Sequence, residues 1–357
     1  FYTVSEDEGF IEWGYVAYTA YDDETKALGC EQHGKMNDQT QTVSFTNVRS
    51  AGQLVIGKTA EGTGVGSGLA AGTEKYAITL KLHHDTVTLD GHVGLSTKGT
   101  TYTVKSKKTA NGYNATVKME LESGETVTFD KLPDGTTYSV VEDEQTYLDM
   151  GFIIRYDDEK EGTEEKNAGT ISEKLPSVAA VLNTRNTHSV SVTKNVLGQM
   201  ASENDSFDFA VTISNGEGSG LTDKAVYRRY AYEVYDETNA LSGTGTLDFR
   251  KRSVQTISLK KGETATILDV PDGAEISVSE KMTDKQKAAG YTLASAVVET
   301  DEANNVSHVF TNERYMGSLA ITKALSGTGS SVGYGKTFKF DVRLWNDRDL
   351  DLANAET

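Results

Sequence analysis

Apolar and polar residues alternate over many short stretches of the chain, and this two-residue period is typical of β-strands with one buried face. The pattern predicts strands in SFDFAVTI, TVTFDKL, ATILDV and HVFTN, and a strand or a sheet edge in ASAVVET. Pro-Asp-Gly at residues 133–135 and 271–273 predicts tight turns. Only residues 283–290, TDKQKAAG, have a helix-like pattern, as a short surface turn. Short strands in units of roughly 120–135 residues predict an all-β fold of tandem β-sandwich domains.

Two further patterns repeat along the chain. A Lys follows an Asn by eleven residues in three places, and an Arg stands two residues after each Asn; the pairs are Asn47 with Lys58, Asn183 with Lys194, and Asn312 with Lys323. The block LESGETVTFDKLPDGTTYSVVED (residues 121–143) aligns with LKKGETATILDVPDGAEISVSEK (residues 259–281), which places Glu142 opposite Glu280. The first residues of the chain match the end of this block and place Glu6 with these two carboxylates.

The repeat unit runs from Lys through Glu to Asn and predicts four segments. Residues 50–186 (the first module) and 187–315 (the second module) are each expected to form a complete domain. Residues 1–49 (the N-terminal segment) match the C-terminal part of such a domain, and residues 316–357 (the C-terminal segment) match the N-terminal part of a further one. Because the step from each Asn to the next Lys leaves little free linker, we expect a rod-like array.

Composition narrows the class of protein. The 357 residues are 37% hydrophobic and 25% charged, which suits soluble modules with modest cores. A net charge of −18, with acidic loops at residues 22–25 and 156–167, disfavours binding to nucleic acid or anionic membranes. No apolar run reaches membrane-spanning length, and Phe1 does not begin a signal peptide. The single cysteine, Cys30, excludes an internal disulfide framework and a multi-cysteine zinc site.

Strand alternation predicts that the repeated Lys, Glu and Asn side chains point into the core, because they share a face with apolar neighbours. These neighbours are Leu54 and Ile56 for Lys58, Val190 and Val192 for Lys194, Leu319 and Ile321 for Lys323, Val140 for Glu142, Ile276 and Val278 for Glu280, Val43 and Phe45 for Asn47, and Phe310 for Asn312.

Burial of these groups predicts their chemistry. Desolvation lowers the pKa of a lysine and raises that of a glutamate, leaving a neutral amine beside a protonated acid. The amine is then a nucleophile, and the acid polarises the Asn carbonyl and delivers protons to the departing nitrogen, giving a Lys–Asn amide and ammonia. The alternative is that each triad is a buried, hydrogen-bonded ion pair that never reacts.

The order Val-Thr-Lys, then Val-x-Glu, then Phe-Thr-Asn resembles the collagen-adhesin B-type (CnaB) modules of Gram-positive pilins and surface adhesins. The Gly-Glu-Thr…Pro-Asp-Gly…Val-x-Glu block is similar to the same family and covers most of both complete units. The resemblance implies an immunoglobulin-like sandwich with an intramolecular isopeptide bond. It makes the following assignments: nucleophiles Lys58 and Lys194, electrophiles Asn183 and Asn312, catalytic acids Glu142 and Glu280, and Glu6, Asn47 and Lys323 in the partial units.

The chain departs from the family pattern in several places. The first module has Ile-Gly-Lys and Val-Leu-Asn in place of Val-Thr-Lys and Phe-Thr-Asn. Asp143 and Glu144 are alternatives to Glu142 as the acid; Glu144 lies on the same face, and the repeat offset favours Glu142. Neither a Leu-Pro-x-Thr-Gly sorting signal nor a Tyr-Pro-Lys motif is found.

Other candidate sites are weaker. Residues His83, His84, Asp85 and His92 form a possible metal cluster, but adjacent residues in a strand point to opposite faces. The acidic loops lack calcium-site spacing, and Cys30 has no context for a reactive thiol. We therefore expect no cofactor and no metal. The Arg two residues after each Asn is a candidate to pair with acidic neighbours at a domain junction.

These features favour the shaft of an extracellular fibre, pilus or cell-wall adhesin on a bacterial surface, with neighbouring domains or subunits of the same fibre as partners. The alternative is an adhesive module whose acidic and Tyr-bearing loops, such as YRRYAYEVYDET (residues 227–238), recognise a host glycan or protein. A turnover enzyme is disfavoured, because no Ser-His-Asp order, phosphate loop or cofactor fingerprint is found.

Overall fold

The computed structural model describes residues 1–21, 26–156, 167–315, 317–328 and 335–343. Residues 1–315 form one compact unit and residues 316–357 another. Regular structure in the described residues is almost entirely β, which confirms the all-β prediction. The acidic loops at residues 22–25 and 157–166 lie outside the described residues.

The described part of the N-terminal segment contains five short strands and a 3-10 helix, Glu8–Trp13. A two-stranded sheet pairs β1 with β4, and a three-stranded sheet has the order β3-β2-β5. The strands are β1 Tyr2–Ser5, β2 Val16–Tyr21, β3 Lys26–Leu28, β4 Glu31–Gly34 and β5 Thr46–Val48.

The first module is a two-layer sandwich. Its strands are β6 Ala51–Glu61, β7 Lys75–His84, β8 Val93–Ser96, β9 Thr101–Thr103, β10 Ser106–Thr109, β11 Gly112–Glu122, β12 Thr126–Pro133, β13 Thr137–Glu142, β14 Ile153–Tyr156, β15 Ala168–Thr170 and β16 Ser177–Thr184. One sheet has the order β14-β16-β6-β12-β8-β9 and the other β10-β11-β7-β13-β15. Alternating residues of both sheets fill the core, among them Leu54, Leu80 and Phe129.

The second module repeats this architecture. Its strands are β17 Thr187–Leu197, β18 Ser206–Asn215, β19 Arg229–Tyr235, β20 Leu241–Asp248, β21 Gln255–Lys260, β22 Thr264–Pro271, β23 Ala274–Lys281, β24 Thr292–Thr300 and β25 Val306–Glu313. One sheet has the order β20-β19-β22-β17-β25-β24 and the other β21-β18-β23. All four stretches predicted as strands are strands, and ASAVVET lies in the edge strand β24.

The first and last strands of each module are parallel neighbours. Strand β6 pairs with β16, with Lys58 opposite Val181, and strand β17 pairs with β25, with Lys194 opposite Phe310. Most other contacts in these sheets are antiparallel. The strand that begins each module therefore lies directly beside the strand that ends it.

Short helices are more numerous than predicted. The predicted helical turn is α3, Asp284–Ala288, with a capping box formed by Thr283 and Gln286. The structure adds α1 (Glu144–Asp149), α2 (Asp223–Val226) and a 3-10 helix, Gly68–Ala70. The prediction of a single helix is wrong because six-residue and four-residue helices are too short to show a helical period. No described helix is long and apolar enough to cross a membrane.

The burial predicted for Lys323 in the C-terminal segment is not observed. Leu319 and Ile321 are 66% and 48% exposed, and no strand is formed in residues 317–328 or 335–343. The prediction that Lys323 points into an apolar core is therefore wrong for the described residues, because no described strand pairs with this stretch to bury one face. Asn47 is also exposed, while Val43 and Phe45 on its face are half-buried.

Candidate functional site

In the first module the structure brings the predicted triad together between the two sheets. Lys58 on β6 and Asn183 on β16 are 1% and 0% exposed and lie in the same sheet. Asn183 is two residues beyond Val181, the register partner of Lys58, so both side chains project from the same face. Glu142 ends β13 in the facing sheet, and its Oε1 lies 3.1 Å from Lys58 Nζ. Three groups from the first strand, the last strand and the opposite sheet meet in the core.

Burial changes the protonation of this triad. Desolvation lowers the pKa of Lys58 from 10.5 to about 8, against the opposing effect of Glu142. Desolvation also raises the pKa of Glu142, although the charge of Lys58 and the amide of Asn183 oppose the shift. Among the described residues, neither Lys58 Nζ nor the Glu142 carboxyl oxygens have a partner with hydrogen-bond geometry. Both shifts move the site toward an uncharged amine next to a protonated acid.

The second module has the same arrangement, with hydrogen bonds between the carboxyl group of Glu280 and both other groups. Lys194 and Asn312 are fully buried, and Lys194 Nζ lies 3.2 and 3.3 Å from the two carboxyl oxygens of Glu280. The Nδ2 group of Asn312 donates to Glu280 Oε1 at 2.6 Å. Desolvation lowers the pKa of Lys194 to about 8. Glu280 on β23 thus contacts both the amine and the amide nitrogen, across from the sheet that carries them.

An aromatic ring beside each Lys was not predicted from the sequence. Lys58 Nζ lies 4.4 Å from the centroid of the Tyr76 ring, and Lys194 Nζ lies 4.5 Å from that of Phe207. In both modules this ring stands two residues before the strand partner of the Glu. In the C-terminal segment, Lys323 Nζ lies 5.0 Å from the Phe338 ring. The sequence feature that corresponds to these rings is an aromatic residue in KYAI, SFDF and TFKF. Its distance from the preceding Lys differs between the three repeats.

Two of the three group types also meet in the N-terminal segment. Asn47 Nδ2 donates to Glu6 Oε1 at 2.5 Å, beside a cavity of about 480 Å³ that Phe10, Trp13 and Tyr15 help to line. The structure thus brings Glu6 and Asn47 together, as their repeat positions predict. Lys323 lies in the other compact unit of the chain.

Comparison with known proteins places the modules in a family. The model of a family described as a domain of unknown function (DUF7601) matches residues 52–185 and, separately, residues 188–314. The chain belongs to the DUF7601 family. Each matched range contains one complete triad. A search of the curated proteins returns no match.

Solved structures similar to this DUF7601 chain include pilus proteins. A major pilin from Streptococcus pyogenes is 16% identical over 74% of this chain and 99% of its own, with a TM-score of 0.38. A second S. pyogenes major pilin is 17% identical over 74% of this chain and 98% of its own, with a TM-score of 0.35. A pilus-presented adhesin is 20% identical over 38% of this chain and 27% of its own, with a TM-score of 0.26. Similarity at this level carries no conclusion about function.

The Arg that follows each repeated Asn has three different environments. Arg185 binds both carboxylate oxygens of Asp269 in the second module at 2.9 Å, which confirms for this residue the predicted acidic partner at a domain junction. Arg49 instead contacts His92 Nε2 at 3.2 Å, and Arg314 donates to the Met200 carbonyl at 3.1 Å. The spacing therefore predicts the position of this Arg, and residues elsewhere determine its partner.

The weaker candidate sites, at His83, His84 and Cys30, have local partners. His83 contacts Asp85 at 2.9 Å, while His84 contacts the Asp134 carbonyl at 3.1 Å. Across the part of the chain that the structure describes, no three His, Cys, Asp or Glu side chains gather in a geometry for a metal ion. Cys30 donates to Glu8, and this contact raises the pKa of the thiol, which disfavours a reactive thiolate.

The predicted recognition loop is wrong. Residues 229–235 of YRRYAYEVYDET form strand β19, which pairs with β20 on one side and β22 on the other. Tyr230 is buried in the core of the second module. The alternation of Tyr230, Tyr232 and Val234 with more polar residues is a strand pattern, and it outweighs the polar composition that suggested a loop.

The lysine pKa values predict how stability depends on pH when the amines are free. In a chain with Asn183→Ala and Asn312→Ala, both lysines keep pKa values of about 8 when folded and 10.5 when unfolded. Between these values the unfolded chain binds more protons, so the free energy of unfolding increases as the pH rises. Urea unfolding is expected to show higher stability at about pH 9.5 than at about pH 7.5.

The control for this pH effect adds Lys58→Met and Lys194→Met to the same chain. These changes remove the two amines and keep side chains of similar length. The increase in stability with pH is then expected to disappear. An equal increase in both chains would show that other groups cause it.

Proposed function

We propose that this chain forms part of the shaft of an extracellular bacterial fibre, pilus or cell-wall adhesin, built from domains that crosslink themselves. Residues 50–186 and 187–315 are the complete domains, and residues 1–49 and 316–357 belong to flanking ones. The observation that supports this proposal is the buried Lys–Glu–Asn triad, which recurs in both modules with the Lys and Glu 3.1–3.2 Å apart. Neighbouring domains or subunits of the same fibre are the partners.

The proposed reaction joins Lys58 to Asn183 and Lys194 to Asn312. The neutral Nζ attacks the side-chain carbonyl carbon of the Asn, and a C–N bond forms as the bond from that carbon to Nδ2 breaks. The protonated Glu delivers its proton to Nδ2, which leaves as ammonia, and takes one proton from Nζ in exchange. The carboxyl group ends in its starting state, so the reaction needs no oxidant or cofactor. It happens once per domain and involves no turnover of substrate.

The environment of the second module supports each step. Glu280 contacts the attacking nitrogen, Lys194 Nζ, and the leaving nitrogen, Asn312 Nδ2. The Phe207 ring lies on Lys194 and helps to exclude water that would solvate an ammonium group. The parallel strands hold the Lys and the Asn on one face, so the reacting groups are positioned by the fold itself.

The first module holds its Lys–Glu pair with less hydrogen bonding than the second. An inert buried pair offsets the cost of desolvation with well-formed hydrogen bonds. Lys58 Nζ lies 3.1 Å from Glu142 Oε1, at an angle unfavourable for a hydrogen bond. Conversion to a neutral amide would remove both the buried amine and the need for a counter-charge.

Intact mass under denaturing conditions tests the proposal. The chain is expected to weigh about 34 Da less than its sequence mass, because each of two condensations releases about 17 Da of ammonia. Glu142→Ala and Glu280→Ala are each expected to halve the deficit, and together to abolish it.

The matched control is Glu6→Ala, which removes the corresponding carboxylate of the N-terminal segment. It is expected to leave the deficit of the two modules unchanged. A chain with its full sequence mass would overturn the proposal and leave the triads as buried polar networks.

A further inference from the structure

The junction between the two modules contains a buried arginine with several partners. Arg185 is 1% exposed and comes from the end of the first module. Its Nε donates to the Met150 carbonyl at 2.8 Å, and one terminal nitrogen donates to the carbonyls of Gly64 and Ser67. The other terminal nitrogen binds both oxygens of Asp269 in the second module at 2.9 Å. Two loops of the first module thus hold the guanidinium group that binds the second.

The carboxylate of Asp269 is surrounded by donors. Besides Arg185, it accepts from Arg228 at 2.7 Å and from the backbone nitrogen of Leu69 at 3.0 Å. Arg228 belongs to the second module and Leu69 to the first. Charge-assisted hydrogen bonds of this kind are stronger and more directional than neutral ones. The Arg185–Asp269 pair is also far more buried than a second ion pair between the modules, in which Lys224 binds Asp149 at 2.7 Å.

Two glycines permit this close approach. A Cβ atom on Gly68 would lie 1.9 Å from the Asp269 carboxyl carbon, and one on Gly64 would lie 2.5 Å from the guanidinium of Arg185. By contrast, a Cβ on Gly66 would meet nothing within 4 Å. Both Gly66 and Gly68 have positive φ, 70° and 51°, so the two positions carry the same kind of backbone cost for other residues. Only Gly68 also makes room for the carboxylate.

The equivalent position in the first module carries the opposite charge. Alignment of TVTFDKLPDG with TATILDVPDG places Lys131 opposite Asp269, and both have φ of 58°. The Arg that corresponds to Arg185 is Arg49, whose guanidinium contacts His92. The same backbone turn thus carries an acid in one module and a base in the other. A lysine is compatible with this turn, because Lys131 already occupies it.

We propose that Arg185 and residues 64–69 form a docking surface for an acidic residue on this left-handed turn of the following module, and that the acid fixes the relative orientation of the two modules. Domains joined in one chain move relative to each other unless their interface prevents it. Here a single carboxylate connects Arg185, Leu69 and Arg228 across the junction. A turn with lysine in this place cannot bind the arginine, and Arg49, beside the turn that carries Lys131, contacts His92 instead.

Distances between two spin labels in the full chain test this proposal. The labels are placed on Lys118→Cys in the first module and Thr256→Cys in the second, both exposed, with Cys30→Ser to remove the native thiol. The chain with Asp269 is expected to give one narrow distance distribution. Asp269→Lys is expected to widen it about twofold or more, because the exposed Lys224–Asp149 pair that remains between the modules contributes little to holding them.

Two controls separate the proposal from loss of folding. Lys131→Asp makes the reverse exchange in the first module and is expected to leave the width unchanged. Circular dichroism of Asp269→Lys is expected to show intact sheets, since Lys131 adopts the same backbone conformation. A narrow distribution in Asp269→Lys, at any distance, or a broad one in the parent chain, would overturn the proposal.

The glycine pair gives an independent test. Gly68→Ala places a methyl group within the Asp269 carboxylate and is expected to widen the distribution as Asp269→Lys does. Gly66→Ala has the same left-handed backbone cost without that contact, and it is expected to leave the width unchanged. Equal widths for the two variants would show that close docking at residue 68 does not hold the modules.

Discussion

Replacing Asn183 and Asn312 together by alanine is expected to lower the melting temperature of the two modules by about 15–20 °C. Each Lys–Asn bond would close a loop of about 120–125 residues, and the chain-entropy treatment of crosslinks gives about 5 kcal/mol for a loop of that size. For modules of about 130 residues, 1 kcal/mol corresponds to about 4 °C. Calorimetry of the parent and double variant measures the difference.

The matched control for this melting experiment is Asn47→Ala. Asn47 has the same place in the repeat, but it is exposed and contacts Glu6 without a described lysine beside it. It is therefore expected to leave the melting of the modules unchanged. Glu142→Gln with Glu280→Gln keeps the shape of each site and removes the acid, so it should melt like the double Asn variant. A decrease of only a few degrees in both double variants would mean that no covalent loop is lost.

The sequence was sufficient to predict the triads because their signals are local. Each of Lys58, Glu142 and Lys194 stands at the end of an alternating apolar pattern, and alternation specifies the face of a strand without knowledge of its partners. The same order of Lys, Glu and Asn in successive repeats then indicates that residues more than 80 positions apart, such as Lys58 and Glu142, belong to one site. The structure places these residues together in both modules.

Contacts that depend on the packing of the two sheets or two modules were not predictable in this way. The Tyr76 ring reaches Lys58 from the facing sheet, and the loop between their strands has a different length in each repeat. The partner of Arg185 is Asp269, 84 residues away in another module, at a turn whose equivalent carries a lysine. The position of Asp269 carries a lysine, Lys131, in the other repeat, so no repeated pattern marks it. It nevertheless determines what Arg185 binds.

The parallel pairing of first and last strands connects the proposed bond with mechanical load. A force applied along the chain enters the first module through β6 and leaves through β16, which are neighbours in one sheet. Lys58 lies on the first of these strands and Asn183 on the second. Almost all other residues of the module lie between them in the sequence. A covalent bond between them would carry the force directly between the two strands. The rest of the sandwich would then lie outside the loaded path.

Stretching single molecules of the chain is therefore expected to distinguish crosslinked from uncrosslinked modules completely. With both bonds formed, neither module should lengthen by more than a few residues before the covalent chain breaks. In Asn183→Ala the first module can unravel, releasing about 125 residues, or about 40 nm of chain at about 3.3–3.6 Å per residue. The double variant with Asn312→Ala should show two such steps, while Asn47→Ala should show none. Steps of this length in the parent chain would mean that the triads do not crosslink, because a bond between the loaded strands leaves no such length to release.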